Sequence, residues 1–238
     1  MRSCILKKKT GIMLCVLLVL SVSFVWAGKK VTDVLSRGEN DRTVIVIDAG
    51  HGGDDPGKVG INGALEKDIN LKIAGFVQSY LEQNGITVIL TRDSDAGLYE
   101  ANSGNTKVED LKNRLALIES SGAPLAVSIH QNSYTSESVH GAQVFYYATS
   151  AEGERAALLL QDQLVKGLEE EKARHAKKND SYYLLKKSTV PTVIVECGFL
   201  SNQREADLLI TEAYQKKVAW NIALGILQYV NGADFECF

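Results

Sequence analysis

Proline is almost absent from this sequence, with three residues in 238 and no tract of low complexity. Such a chain offers no recognisable linker, so one domain is expected in a length that would hold one sizeable core. Cysteine is equally scarce. Two of the four, Cys4 and Cys15, fall in the first stretch, which leaves Cys197 and Cys237. Two are too few for a disulfide framework. Basic surplus is missing as well. Setting aside the four basic residues ahead of Lys29, 22 of the 26 remain against 29 acidic residues, a balance of −7. Nucleic acid, which is held by Lys and Arg contacts to phosphate, is excluded as a partner. An electrostatic hold on an anionic wall polymer is excluded on the same ground.

A long apolar run occurs once, at the start. Arg2, Lys7, Lys8 and Lys9 precede the stretch from Ile12 to Trp26, which ends in Ala27-Gly28. A basic start, an apolar middle and a small residue at the end describe an export signal, with a cleavage site at Val25-Trp26-Ala27. The run is short of the ~20 residues a membrane span needs. Residues 1–28 are therefore read as a signal peptide or a retained anchor, the only part expected to meet a membrane. Either delivers the rest outside the cytoplasm.

Beyond the leader, short β-branched runs alternate with longer stretches of helical period. Strands are expected at Thr43–Ile47, Ile86–Leu90, Leu125–Ile129, Gly141–Tyr147, Tyr182–Leu185 and Val190–Val195. Helices are expected from Leu65 to Asn84-Gly85, over Leu111–Ser121, Glu152–Glu171, Gln203–Ile210 and Glu212–Val230, and a loop over Asp93–Lys107. Leu65, Ile69, Ile73, Phe76, Val77, Tyr80 and Leu81 give the first helix one apolar stripe. The strand runs do not alternate, as expected where both sheet faces are covered. This predicts an α/β three-layer sandwich with a mostly parallel sheet of about six strands, over residues 43–230, with 231–238 as a tail.

In such sheets, sites form beyond the carboxyl ends of the strands. The first strand runs into Asp48-Ala-Gly-His51-Gly-Gly53, the third into Ser128-Ile-His130-Gln-Asn132, and the last into Glu196-Cys-Gly-Phe-Leu-Ser-Asn202. Parallel strands would bring His51, His130 and Glu196 to one edge. Glu66 starts the first helix where the first loop ends, at that same edge. Two histidines and a carboxylate form a catalytic zinc shell with one position left for water, and a second carboxylate can serve as general base. The residue types alone do not say which glutamate does which. Each residue also has a structural reading: Glu66 as an acid favoured by the helix dipole, Arg92 and Arg114 as ion-pair partners, His140 and His175 as surface groups, Cys197 as a small buried residue.

The runs Asp48-Ala-Gly-His51-Gly-Gly-Asp-Asp-Pro-Gly57, Glu66-Lys-Asp68, Leu90-Thr-Arg92, Ser128-Ile-His130 and Val195-Glu-Cys-Gly-Phe-Leu-Ser-Asn202 resemble the zinc-dependent N-acetylmuramoyl-L-alanine amidases. The resemblance spans Val44 to Val230. With Ser181-Tyr-Tyr-Leu-Leu-Lys186 added, it leans towards the small sporulation and germination amidases of spore cortex. It implies hydrolysis of the lactyl–L-alanine amide of peptidoglycan, with His51, Glu66 and His130 as Zn2+ ligands and Glu196 as catalytic acid/base. It also implies action in the cell wall or the forespore cortex. Many members carry Ala where Gln131 stands, which implies a different site rim here. The helical insertion and wall-binding modules of larger relatives are not expected, so control would fall to an accessory protein or to the substrate's setting. The rival readings are another zinc peptidase or amidase of the wall, and a silent peptidoglycan-binding module on the same fold.

Overall fold

The computed structural model describes residues 43–100, 104–169 and 173–233. The leader, Cys237 and the end of the tail lie outside the described residues. Six strands form one sheet: β1 (Val44–Ala49), β2 (Thr87–Leu90), β3 (Ala126–Asn132), β4 (Gln143–Tyr146), β5 (Lys177–Lys178) and β6 (Thr192–Phe199), in the order β2-β1-β3-β6-β4-β5. β2, β1, β3 and β6 are mutually parallel, and β4 runs antiparallel to β6. The helices are α1 (Glu66–Gln83), α2 (Thr106–Ser120), α3 (Ala151–Leu168), α4 (Tyr183–Lys187), α5 (Gln203–Leu209) and α6 (Glu212–Val230).

The period of two along each strand sorts residues to two faces. Ile45, Ile47, Val127, Ile129, Val193 and Val195 enter the main core with Ile69, Ile73 and Val77 of α1, Leu160 of α3 and Ile222 of α6. Val46 and Ala126 face the other way, against Ile118 of α2 and Leu184 of α4. The expected three layers are present. At roughly 1.5–3 kcal/mol for each fully buried aliphatic side chain, the larger of these clusters supplies most of the cohesion.

The end of α1 shows how the sequence stops a helix. Gly85, at φ +78°, donates its N–H to the Glu82 carbonyl, and Ile86 donates to Leu81. This C-terminal motif needs a left-handed residue, which Gly85 supplies. At its other end α1 has no side-chain cap. Glu66, its first residue, is turned elsewhere.

Three expectations are corrected. Tyr182–Leu185 is not a strand. Asn179 Oδ1 accepts from the N–H groups of Ser181 and Tyr182, the chain turns, and the short helix α4 follows. Four consecutive apolar residues carry no period, and Leu184 and Leu185 are buried in two different clusters. The sixth strand is instead Lys177–Lys178, two exposed lysines on a sheet edge, where charge guards against unwanted pairing. Third, α2 begins at Thr106 rather than Leu111, with the Asn105 side chain accepting from Val108 N–H as its cap. Among the described residues no helix is long and apolar enough to cross a membrane.

Candidate metal centre

β1 and β3 carry the site's foundation. Asp48 is 1% exposed and lies beside Ser128 in the register of the two strands. It accepts from Ser128 Oγ, from Thr91 Oγ1 at 2.7 Å, and from Arg114 Nη1 at 2.6 Å. Burial opposes its charge, but Arg114 and the two hydroxyls win and hold the carboxyl down at about 2. Arg114 also donates to the carbonyls of Ala49 and His51 and to Asp110. Arg92 donates to the carbonyls of Ala49, Gly50, Lys67 and Ser94. Both arginines thus pin the backbone that delivers His51. Arg114 fits the expected ion-pair role, whereas the hydrogen bonds of Arg92 run to carbonyls.

On that base, three side chains converge. His51, Glu66 and His130 each offer a ligand atom, and these atoms lie within 4.8 Å of one another. Glu66 Oε1 is 2.9 Å from His130 Nδ1 and 3.3 Å from His51 Nε2. His51 holds φ +62°, an uncommon conformation outside glycine and one that concentrates at functional sites. Its Nδ1 meets Asp55 Oδ2 at 2.8 Å, which orients the ring and leaves Nε2 towards Glu66. Glu66 is 2% exposed and accepts from the backbone N–H groups of Lys58 and Gln131. Burial works against its ionisation, yet the two imidazoles drive its pKa far below the carboxylate range.

Two glycines are dictated by close approach. A Cβ on Gly50 would fall 2.3 Å from the His130 ring. One on Gly57, at φ +68°, would fall 2.6 Å from Glu66 Oε2 and 2.7 Å from the His51 ring. No side chain fits there.

Glu196 stands apart from the three. It lies on β6 beside His130 of β3, both on the strands themselves rather than after them. Tyr182 Oη donates to its Oε1 at 3.2 Å, and its Oε2 is buried without a hydrogen-bond partner. Burial, with the Glu66 carboxylate adding to it, pushes Glu196 up to about 7, while His130 and Tyr182 pull it back. A carboxyl poised there suits proton transfer near neutrality. Burial opposes charge on His130 too, but Glu66, Glu196 and Asp48 outweigh it and raise the ring to about 9. The Tyr182 phenol is driven up by burial and by Glu196, so it remains a donor. A cleft of about 410 Å³ opens over His51, Glu66, His130, Tyr182, Leu184 and Glu196.

The structure therefore brings together all four expected residues. His140 and His175 do not join the cluster, and Cys197 is buried with its thiol pushed up by burial. Gln131 lines the cleft, but from below the surface. It is 3% exposed, and its side-chain amide donates to Asn70 Oδ1 beneath Glu66. Asp55 and Tyr182 were not anticipated. Asp55 was readable four residues after His51, but Tyr182 becomes visible only in three dimensions.

Residues 45–228 match the family model of the N-acetylmuramoyl-L-alanine amidases. The chain belongs to that family. It is 46% identical over 189 residues to the germination-specific N-acetylmuramoyl-L-alanine amidase of Bacillus subtilis, covering 78% of this chain and 79% of the relative. Among solved structures it is similar to the CwlD amidase of Clostridioides difficile in complex with the GerS lipoprotein, at 39% identity and TM-score 0.77, over 80% of this chain and 99% of that one. It is also similar to the catalytic domain of the CwlV amidase of Bacillus (Paenibacillus) polymyxa, at 33% identity and TM-score 0.70, over 79% and 98%. Family membership makes this chain an amide hydrolase, in agreement with the sequence-based expectation.

Proposed function

We propose that this amidase holds zinc between His51, Glu66 and His130 and uses Glu196 as its acid/base to cut the amide between the lactyl group of N-acetylmuramic acid and L-alanine. The observation that carries it is the division of the four residues: three converge on one point, and the fourth lies beside them with a bare oxygen. The donor set fits zinc, since two imidazoles and one carboxylate match a catalytic shell and Asp55 supplies the outer carboxylate such shells use. Bound there, zinc supplies a Lewis acid that polarises the substrate carbonyl and makes water easier to deprotonate.

The protein's own groups do the rest. Glu196 accepts a proton from the attacking water as the new C–O bond forms. When the C–N bond breaks, Glu196 returns that proton to the departing alanine nitrogen. The products are a free lactyl carboxylate and a new N-terminal alanine. Asp48 and Arg114 hold the backbone of Ala49 and His51 still while this happens.

The germination-specific relative supports the cortex of the spore as the setting and peptidoglycan as the substrate. The leader read over residues 1–28 would carry residues 43–230, the catalytic domain, across the membrane. The similar CwlD amidase, solved with a lipoprotein, supports an accessory protein for this chain. Mass spectrometry of digested peptidoglycan tests the reaction. Peptide-free muramic acid and peptides beginning with alanine, formed in a zinc-dependent way, are the expected products. Cleavage within the stem peptide would instead make the chain a wall peptidase.

A further inference from the structure

The short helix α4 and the turn before it serve the site. Asn179 is fixed first: its N–H donates to the Tyr146 carbonyl at the end of β4, extending the sheet edge. Its Oδ1 then accepts from Ser181 N–H, Ser181 Oγ and Tyr182 N–H at 2.8, 2.8 and 3.0 Å. Such an Asx turn sets the direction in which the following residue leaves. The Tyr182 ring packs edge-on against Phe145 of β4, with centroids 5.7 Å apart. Backbone and ring are thus both held by β4, and the hydroxyl comes to rest 3.2 Å from Glu196 Oε1.

Glu196 has a second anchor only in its backbone, which lies between β3 and β4. With no other side-chain partner, its carboxyl plane would be free to turn about the last bond. The single hydrogen bond from Tyr182 removes that freedom, because Oε2 has no partner while Oε1 has one. We infer that Tyr182 is a positioning residue for the reaction: its hydroxyl holds one oxygen of Glu196 and leaves the other, buried and without a partner, free to take the proton. A carboxylate held in one orientation delivers its lone pair without a search, which lowers the barrier and leaves substrate affinity alone. This rests on the reading of Glu196 as the base.

The test uses the full chain with zinc. Tyr182→Phe removes the hydroxyl and keeps the ring on Phe145. It should lower kcat on the order of ten-fold, the usual scale for one hydrogen bond to a charged group, with KM, zinc content and melting temperature unchanged. In a Glu196→Gln background, the same change should have no further effect on the residual rate. Asn179→Ala keeps the hydroxyl but frees the turn, and should also lower kcat without raising KM. Parental turnover in Tyr182→Phe overturns the inference. So does a raised KM at constant kcat, which would place the hydroxyl on the substrate. If Glu196→Gln itself stays active, it is the assignment of the base that fails, and the two failures are told apart.

Discussion

His130 and Glu196 occupy paired positions on adjacent parallel strands, yet only His130 joins the cluster with His51 and Glu66. The neighbouring glutamate meets Tyr182 on one oxygen and nothing on the other. One strand pair therefore sets the two groups proposed as ligand and base side by side, in two different environments. Burial that would neutralise either group alone is offset at His130 by Glu66, and prevails at Glu196.

The two roles separate by mutation. His51→Ala and His130→Ala should lose both zinc and activity, from a parent that holds about one zinc per chain. Glu196→Gln should lose turnover and keep its zinc, because the amide preserves shape but takes no proton. Metal analysis and amidase assays on the three variants check this. A Glu196→Gln protein stripped of metal would exchange the roles of Glu66 and Glu196.

Asp55 offers a finer test. Its Oδ2 meets His51 Nδ1 at 2.8 Å, and its Oδ1 meets Lys107 at 3.2 Å. Asp55→Ala should keep the fold, since the side chain is partly exposed, but should weaken zinc binding roughly ten- to hundred-fold through the loosened ring. Competition with a chelator measures it. Zinc affinity equal to the parent's would show that the backbone at φ +62° orients His51 unaided.

Stability should depend on acid through Asp48. Its folded pKa, about 2, lies below the ordinary 3.8, so it stabilises the fold above that ordinary value. The contribution is worth roughly 2 kcal/mol and is lost as the pH falls from about 4 through 2. Arg114→Met would leave Asp48 buried without its cation, at a cost of about 3–5 kcal/mol near neutrality. Urea melts at pH 7 and pH 2.5 check both statements. In the variant, Asp48 protonates more readily, so the gap between variant and parent should narrow at the lower pH.

The parts of this design differ in how openly the sequence shows them. His51, His130 and Glu196 were legible because each follows a β-branched run, and parallel strands gather their carboxyl ends. Glu66 was legible because it opens an amphipathic helix directly after the glycine loop. Tyr182 was not, for it sits in four consecutive apolar residues where strand and helix look alike. What decides the matter is Asn179, whose side chain turns the chain three residues earlier. Gln131 does line the cleft, but its hydrogen bond to Asn70 was not legible. Its partner Asn70 lies 61 residues away in sequence, and only the fold brings them together.

The last expectation concerns control. On the reading of residues 1–28 as a leader, the remaining balance of 22 basic and 29 acidic residues gives little electrostatic hold on an anionic wall. The cleft over His51 and Glu196 is lined by side chains of the domain itself, and α3, lying between β4 and β5 in sequence, is committed to the core through Leu159, Leu160 and Leu164. We therefore expect restraint from elsewhere, by timing, by an accessory protein, or by a distinctive substrate. Purified residues 29–238 should therefore sediment poorly with insoluble peptidoglycan at physiological salt. Extract from sporulating cells should increase sedimentation or turnover, and the gain should disappear when the extract is treated with protease. Strong sedimentation and undiminished turnover by the protein alone would remove the need for any accessory protein.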